Sequence, residues 1–73
     1  MDIRKKIGIR IKELRLKNKL TQEALAFEAD MDKTYFNEVE NGKRNVSVKN
    51  LEKIIKALGN SFYSFFNSTE FKK

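Results

Sequence analysis

Residues 21–45 of the chain read TQEALAFEADMDKTYFNEVENGKRN, and this stretch contains two helix starts separated by a short acidic turn. Thr21 and Asp32 are residues whose side chains typically cap the free amides in the first turn of a helix. The apolar residues that follow each of them recur at helical spacing. We therefore predict a helix over residues 22–29, a tight turn, and a second helix over residues 33–40.

The segment before this stretch also shows helical periodicity. Ile7, Ile11 and Leu14 recur at the spacing of one helix face, which predicts an amphipathic helix over residues 2–17 with a lysine-rich outer surface. Asp2 is the expected N-terminal cap of this helix.

Two more helices are predicted after residue 42. Ser47 and Ser61 are their expected caps, and Gly59 is expected to end the first of them. The apolar residues that should face the core from these helices are Leu51, Ile54, Ile55, Leu58, Phe62, Phe65 and Phe66. The tail from residue 67 is expected to fray. The sequence thus predicts an all-α fold, a compact five-helix bundle that forms one domain over residues 1–73, with a helix-turn-helix unit at about 21–41.

The composition excludes several classes of protein. The chain has no Cys and no His, so it has no thiol nucleophile, no imidazole base and no zinc-thiolate site. We expect no enzymatic activity, no catalytic residue, no metal site, no cofactor and no small-molecule ligand. The apolar runs are far shorter than the about 20 residues of a membrane span, and the charged start DIRKK lacks a signal-peptide core. An intracellular location is expected.

The charge of the chain points to a polyanionic partner. The net charge is +6 and the isoelectric point is about 9.7. Residues 1–20 carry +6 and residues 43–73 carry +5, whereas residues 21–42 carry −5. A positive net charge of this size indicates that the partner is nucleic acid or an anionic membrane surface. Either interpretation has to account for the acidic middle segment.

Several short motifs resemble one known family when they are taken together. They are IKELR at residues 11–15, TQEALA at 21–26, DKTYFNEVENGKRN at 32–45 and LEKIIKALG at 51–59. This combination resembles the Cro and lambda-type repressor family of helix-turn-helix regulators, the Xre group, and within it looks most like restriction-modification controller proteins. The resemblance implies a lambda-repressor-like fold and a cytoplasmic, prokaryotic or phage-encoded transcriptional regulator that binds double-stranded operator DNA. RNA polymerase is a further implied partner.

The resemblance also implies that the second helix of the unit enters the major groove, which is about 12 Å wide and admits one α-helix. In relatives, polar side chains at the start of this helix touch base edges. The positions that match in this chain are Lys33, Thr34, Tyr35, Asn37 and Glu38, with Arg44 in the loop that follows. Glu38 suits only a base that offers a donor, such as the amine of cytosine, unless it points away from the groove.

Phosphate contacts are implied at the edges of the unit. Gln22 matches the phosphate-binding glutamine of the family, and Thr21 and the helix N-terminus would add backbone amides to the same anion. The matching positions after the second helix are Asn41, Lys43 and Asn45. Arg10 and Lys12 on the first helix are further phosphate candidates, although a run of charge is ordinarily a solvated helix face.

Glu40 matches a family glutamate that pairs with an arginine of the first helix, here Arg15, and such a pair orients the unit more than it stabilises it. The chain departs from the family pattern at Lys19 and Asp30, where relatives often carry glycine. One or both of them is therefore expected to have a positive φ or to form a slightly different turn. Val46 replaces a frequent proline.

A homodimer is expected, because operators are commonly read by two-fold dimers whose recognition helices lie about 34 Å apart. The aromatic residues near the C-terminus are the expected place for the subunit contact, although the phenylalanines among them most simply close the core. The residues assigned to this contact are Ile55, Asn60, Tyr63 and Phe66.

Two other classes fit parts of the sequence. An antitoxin-like protein-interaction module would cover another protein through the aromatic surface and bind DNA only secondarily, and an extended apolar patch that self-association leaves exposed would favour it. A helix on a membrane surface is supported only by the lysine-rich first helix, whose apolar stripe is better explained as core.

Overall fold

The structure, a computed structural model, describes residues 1–72. Their regular secondary structure consists of helices joined by short turns and loops. The elements in chain order are α1 (Ile3–Lys17), α2 (Gln22–Glu28), α3 (Lys33–Glu40), α4 (Val48–Ala57) and α5 (Phe62–Phe66), followed by a 3-10 turn (Thr69–Phe71). The described residues contain no strand, and the prediction of an all-α fold with five helices is confirmed. No helix in this part of the chain is long and apolar enough to cross a membrane.

Each α-helix begins at the capping residue that the sequence predicts. A first-turn amide donates a hydrogen bond to the side chain of Asp2, Thr21, Asp32, Ser47 or Ser61 in turn. These bonds satisfy amides that a helix leaves unpaired, and each cap is worth about 0.5–2 kcal/mol. Local side-chain chemistry therefore determines where the helices start.

The first four helices end in one common backbone motif. After each helix, an amide donates to a carbonyl five residues earlier, for example from Leu20 to Arg15 at 3.0 Å and from Met31 to Ala26 at 2.9 Å. The residue just before that amide has a positive φ, which is 58° at Lys19, 54° at Asp30, and 75° at both Gly42 and Gly59. The positive φ expected at Lys19 and Asp30 is thus confirmed at both positions.

The substitution Lys19→Gly is expected to raise the free energy of unfolding by about 0.5–1 kcal/mol. Glycine removes the steric cost of the left-handed conformation, which is about 1–2 kcal/mol. Part of this gain is lost because glycine loses more backbone entropy than lysine when the chain folds. Urea denaturation would measure the difference, with Lys17→Gly as the control at an exposed helical position of negative φ, where glycine should be destabilising. Destabilisation at both positions would contradict the assignment of strain to Lys19.

All five helices contribute buried side chains to the core. α3 packs against α1 and α2, and α4 packs against α2 and α5. The largest fully buried side chains are Phe36, Phe65, Ile11, Leu25, Ile54, Ile55 and Val39. Gly8 allows α1 to touch the main chain of α3, because a Cβ at this position would lie only 2.2 Å from the carbonyl oxygen of Glu40. The position of α3 thus depends on this close helix crossing.

The sequence predicts that the tail frays from residue 67, and this prediction is wrong. Its 3-10 turn packs against α1, and the ring of Phe71 lies 4.8 Å from that of Phe66 and 6.2 Å from that of Phe65. Arg10 of α1 donates from Nε and Nη2 to two main-chain carbonyls at the end of α5, at 2.7 and 2.8 Å. Apolar packing and a cationic cap hold this end of the chain against the bundle.

Candidate nucleic-acid interface

The helices α2 and α3 form the helix-turn-helix unit that the sequence predicts. Leu25 and Ala26 on α2, and Phe36 and Val39 on α3, are buried in the core. The amide of Met31 in the turn donates to Ala26, and this bond closes the turn between the two helices. Because the apolar side of α3 is turned inward, its polar side faces outward.

A row of polar side chains runs along this outward side. Lys33 and Thr34 are exposed in the first turn of α3, Asn37 and Glu38 are half-buried in the second, and Asn41 is exposed just after it. Residues three and four apart are neighbours on a helix surface, so these side chains form one continuous strip. The structure thus brings together most of the residues predicted to contact bases.

A chain of hydrogen bonds links this strip to the buried side of the unit. Arg15 donates to Glu40 from Nε to Oε2 at 2.8 Å and from Nη2 to Oε1 at 3.0 Å, and the two side chains are 9% and 1% exposed. Gln22 Nε2 donates to Glu40 Oε1 at 2.8 Å, Asn37 Nδ2 donates to Gln22 Oε1 at 3.0 Å, and Asn41 Nδ2 donates to Asn37 Oδ1 at 3.1 Å. One network therefore orients α1, α2 and α3 and holds the amide of Asn37.

Gln22, predicted as a phosphate ligand, has both ends of its amide in this network. One N–H and one oxygen lone pair remain on that amide, so Gln22 still has donor capacity toward a phosphate. Thr21 is exposed, but its hydroxyl oxygen accepts from the amide of Ala24 at 3.0 Å as the helix cap. Among the other predicted phosphate ligands, Asn41, Lys43 and Asn45 are exposed just after α3, and Lys12 is exposed on α1.

A second polar cluster lies where that loop meets α3. Arg44 Nε donates to Glu38 Oε1 at 2.7 Å, and the guanidinium carbon lies 5.3 Å from the ring centre of Tyr35. Asn50 Nδ2 of α4 donates to the hydroxyl of Tyr35 at 3.1 Å. Tyr35 is half-buried between these groups, so it forms a support for Arg44 at the edge of the outward strip.

Two expectations need correction. Arg10 does not offer its guanidinium to a phosphate, because it donates to the carbonyls that end α5 and to Glu13 Oε1 at 2.6 Å.

Ile55 is 1% exposed and belongs to the core of its own chain, so it has no free surface for a second subunit. Of the other residues assigned to that contact, Tyr63 is 79% exposed and Asn60 donates to Ser64 Oγ at 2.9 Å. Phe66 is half-buried in the aromatic cluster of the tail.

Sequence reasoning missed two residues that shape the interface. Asn50 holds the Tyr35 hydroxyl, and Asn18 donates from Nδ2 to the carbonyl of Leu58 at 2.9 Å, which ties the end of α1 to the end of α4. Both partners are more than ten residues away along the chain, and no local pattern in the sequence indicates such pairings.

Comparison with known proteins identifies the class of this unit. A family model described as helix-turn-helix matches residues 11–65, which include α2, α3 and α4 completely. The chain is also 46% identical over 70 residues to the control protein C.MunI of Mycoplasma sp., and the match covers 94% of this chain and 95% of that one. The chain belongs to the helix-turn-helix control proteins.

Further control proteins show the same likeness in sequence and in structure. The control protein C.BamHI of Bacillus amyloliquefaciens is 49% identical over 59 residues, which cover 80% of this chain and 73% of that one. The crystal structure of the restriction-modification controller protein C.Esp1396I superimposes with a TM-score of 0.85 at 38% identity, covering 90% of this chain and 87% of that one. For the controller C.AhdI of Aeromonas hydrophila the TM-score is 0.82 at 41% identity, covering 86% and 96%. The resemblance to the Xre group and its controller proteins is confirmed.

Proposed function

We propose that this control protein is a sequence-specific transcriptional regulator that binds double-stranded operator DNA as a homodimer. It would act as a single helix-turn-helix domain in the cytoplasm of a prokaryote, as the controller of a restriction-modification system, with RNA polymerase as a further partner at the promoter. Binding, rather than an enzymatic reaction, is its proposed activity.

The observation that carries this proposal is the outward polar strip of α3, held by the network behind it. Lys33, Thr34 and Asn37 offer donors to base edges along one helix that fits a major groove. The acidic residues of the same region do not oppose this, since the Asp32 side chain caps α3 and Glu40 is buried against Arg15. Two of the six acidic residues of residues 21–42 thus have structural roles, and the carboxylate of Glu38 pairs with Arg44.

Solved structures of a relative support the same ligand. C.Esp1396I has been crystallised as a tetramer in complex with its natural 35 base-pair operator, and also bound to a 25 base-pair operator site. That protein matches 90% of this chain at 38% identity in both complexes. A shared fold with this degree of identity supports a shared mode of DNA binding.

Selection of bound sequences from a pool of random duplexes tests the proposal. We expect one two-fold symmetric sequence to be enriched. Its affinity should fall with salt at a log–log slope of about −7, if a dimer neutralises about eight phosphates.

The substitution Lys33→Ala should weaken binding to the selected duplex by about 1–3 kcal/mol and relax the preference at one base pair of each half-site. Lys56→Ala on α4 is the matched control, because it removes the same charge from a residue that pairs with Glu52 at 3.9 Å. A pool that stays random after selection would contradict sequence-specific binding.

The proposed subunit contact lies on α5, where two aromatic side chains remain exposed. Phe62, which the sequence places in the core, is 42% exposed instead, and Tyr63 is 79% exposed. Exposed aromatic rings next to each other are typical of a protein contact. The substitution Tyr63→Asp should weaken dimerisation by at least about tenfold, because it places a charge in an apolar contact. Sedimentation equilibrium would measure this, and Phe27→Asp is the control at an exposed aromatic on α2. An unchanged dimer in the Tyr63 variant would place the contact elsewhere.

The exposed ring of Phe27 keeps one alternative open. It is 82% exposed at the end of α2, where a protein partner of an antitoxin-like module would find an apolar anchor. That function predicts weak binding to every duplex without a selected sequence. The same selection experiment therefore separates the two functions.

A further inference from the structure

Glu38 is a carboxylate on the outward strip of α3, and its position is unfavourable for contact with DNA. It is half-buried, one residue from Asn37, and phosphates and most base edges present oxygen or nitrogen acceptors to such a group. Asp32 and Glu40 are engaged in structural roles, but Glu38 instead holds Arg44 through the bond from Nε to Oε1 at 2.7 Å. Its role therefore involves the loop that carries Arg44.

This loop is anchored at its far end by Val46, which packs against the core, but it has few hydrogen bonds to the protein. The amide of Lys43 donates to the carbonyl of Glu38 at 2.9 Å, but within residues 1–72 the backbone of residues 44–46 makes no hydrogen bond. Gly42 before the loop has a φ of 75°. Two side chains hold the guanidinium of Arg44, the carboxylate of Glu38 by a hydrogen bond and the ring of Tyr35 by a cation–π contact.

The pair leaves the outer edge of the guanidinium free. Only Nε of Arg44 donates to Glu38, and neither Nη1 nor Nη2 has a hydrogen-bond partner within residues 1–72. These two nitrogens form the fork that can donate together to O6 and N7 of one guanine. The carboxylate of Glu38 also offsets part of the positive charge that attracts Arg44 to a nearby phosphate.

We propose that Glu38 is a specificity-determining residue that acts through Arg44. It positions the guanidinium over Tyr35 with its fork toward a guanine, and it prevents the same side chain from binding phosphates of unrelated sequences. Its remaining oxygen favours a neighbouring base that offers an N–H, and repels one that offers only acceptors. This inference rests on the proposed function, since it concerns how the interface discriminates between sequences.

The proposal predicts that removal of the Glu38 charge will strengthen binding to the wrong DNA. In Glu38→Gln, a neutral amide holds Arg44 less firmly, so binding to a scrambled duplex should tighten about three- to tenfold while binding to the selected duplex changes little. The ratio of the two affinities should therefore fall about three- to tenfold, which is within the usual range for one base contact. The salt slope on scrambled DNA should also become steeper, because Arg44 is free to replace a counterion.

A double-mutant cycle tests the proposal. The proteins are the wild type, Glu38→Gln, Arg44→Ala and the double variant, and the probes are the duplex that the wild type selects and a scrambled duplex of the same composition. Glu28→Gln is the matched control, because it removes the same charge from an exposed position on α2. Exposed ion pairs contribute little to folding, so all variants should melt close to the wild type.

The cycle has distinct outcomes. A loss of discrimination in Glu38→Gln that disappears in the Arg44→Ala background supports the proposal. Unchanged discrimination, an equal loss in both backgrounds, or the same effect from Glu28→Gln would overturn it. Failure of the wild type to select any sequence would instead contradict the proposed function, so the two failures are distinguishable.

Discussion

The variant Gly8→Ala is expected to lose a large part of its free energy of unfolding. The added Cβ would lie 2.2 Å from the carbonyl oxygen and 2.9 Å from the carbonyl carbon of Glu40, and 3.0 Å from the carbonyl oxygen of Val39. All three are main-chain atoms, which cannot move aside by a change of rotamer. The two helices must therefore separate, and the core between them opens.

The size of this effect follows from the small stability of so short a chain. Overpacking of a core costs about 1–3 kcal/mol and occasionally more, and a clash with rigid backbone belongs at the upper end. Alanine returns about 1 kcal/mol of helix propensity. We expect a net loss of about 2–3 kcal/mol out of a total of about 3–5 kcal/mol, and a melting temperature lower by about 10–20 °C.

Thermal denaturation followed by circular dichroism would measure this loss. Gly59→Ala is the control, because no atom lies within 4 Å of a Cβ there and only the φ of 75° opposes the substitution, at about 1 kcal/mol. A Gly8→Ala variant as stable as the wild type would show that α1 and α3 do not cross in main-chain contact.

The second large effect is expected from Glu40→Ala. This change leaves the guanidinium of Arg15 buried without its counter-charge, and it removes the acceptor of Gln22. Loss of one partner of a buried pair costs about 3–5 kcal/mol, which is comparable to the whole stability of the chain. Chemical denaturation would show a protein that is largely unfolded before denaturant is added.

The double variant Arg15→Met with Glu40→Leu separates orientation from stability. Replacement of a buried pair by apolar residues of similar volume is often neutral or stabilising, so this protein should fold. It lacks the anchor that holds Gln22 and, through it, Asn37. We expect it to bind DNA with reduced discrimination between selected and scrambled duplexes. Full discrimination in a folded double variant would show that the network has no positioning role.

The helices of this protein could be predicted because their start signals are local. Thr21 and Asp32 cap amides within three residues along the chain. The αL turns at Lys19 and Asp30 are indicated by the family pattern, because relatives often carry glycine at these two positions. Such features depend on neighbours in the sequence. The five helices therefore agree with the prediction to within about one or two residues, which is the usual uncertainty of helix boundaries.

The failures involve contacts between distant segments. The 3-10 turn that contains Phe71 packs against α1, at the other end of the chain, and no local pattern indicates this contact, so the sequence predicts a frayed tail. Arg10 was interpreted as a surface charge because nothing along the chain indicates that it caps a helix 54 residues away. Ile55 was placed at a subunit contact because a complete apolar stripe does not show which of its members the chain's own core covers.

The site was predictable as a set of residues but not as an arrangement. The capped helix and the family motifs indicate that Lys33 to Glu38 face one ligand, whereas the pairing of Glu38 with Arg44 depends on the path of the following loop. The support of Tyr35 by Asn50 likewise depends on how α4 packs. These contacts depend on tertiary structure, and the sequence alone does not indicate which residues form them.

The central claim is that the outward strip of α3 lies in the major groove of DNA. Protection of guanine N7 from methylation by dimethyl sulfate tests it most directly, since this atom is exposed only in the major groove. We expect the selected duplex to show protected guanines in two symmetric half-sites about 34 Å apart, with at least one protection lost in Lys33→Ala or Arg44→Ala. Tight binding that leaves every guanine N7 reactive, or that protects only adenine N3 in the minor groove, would contradict the account.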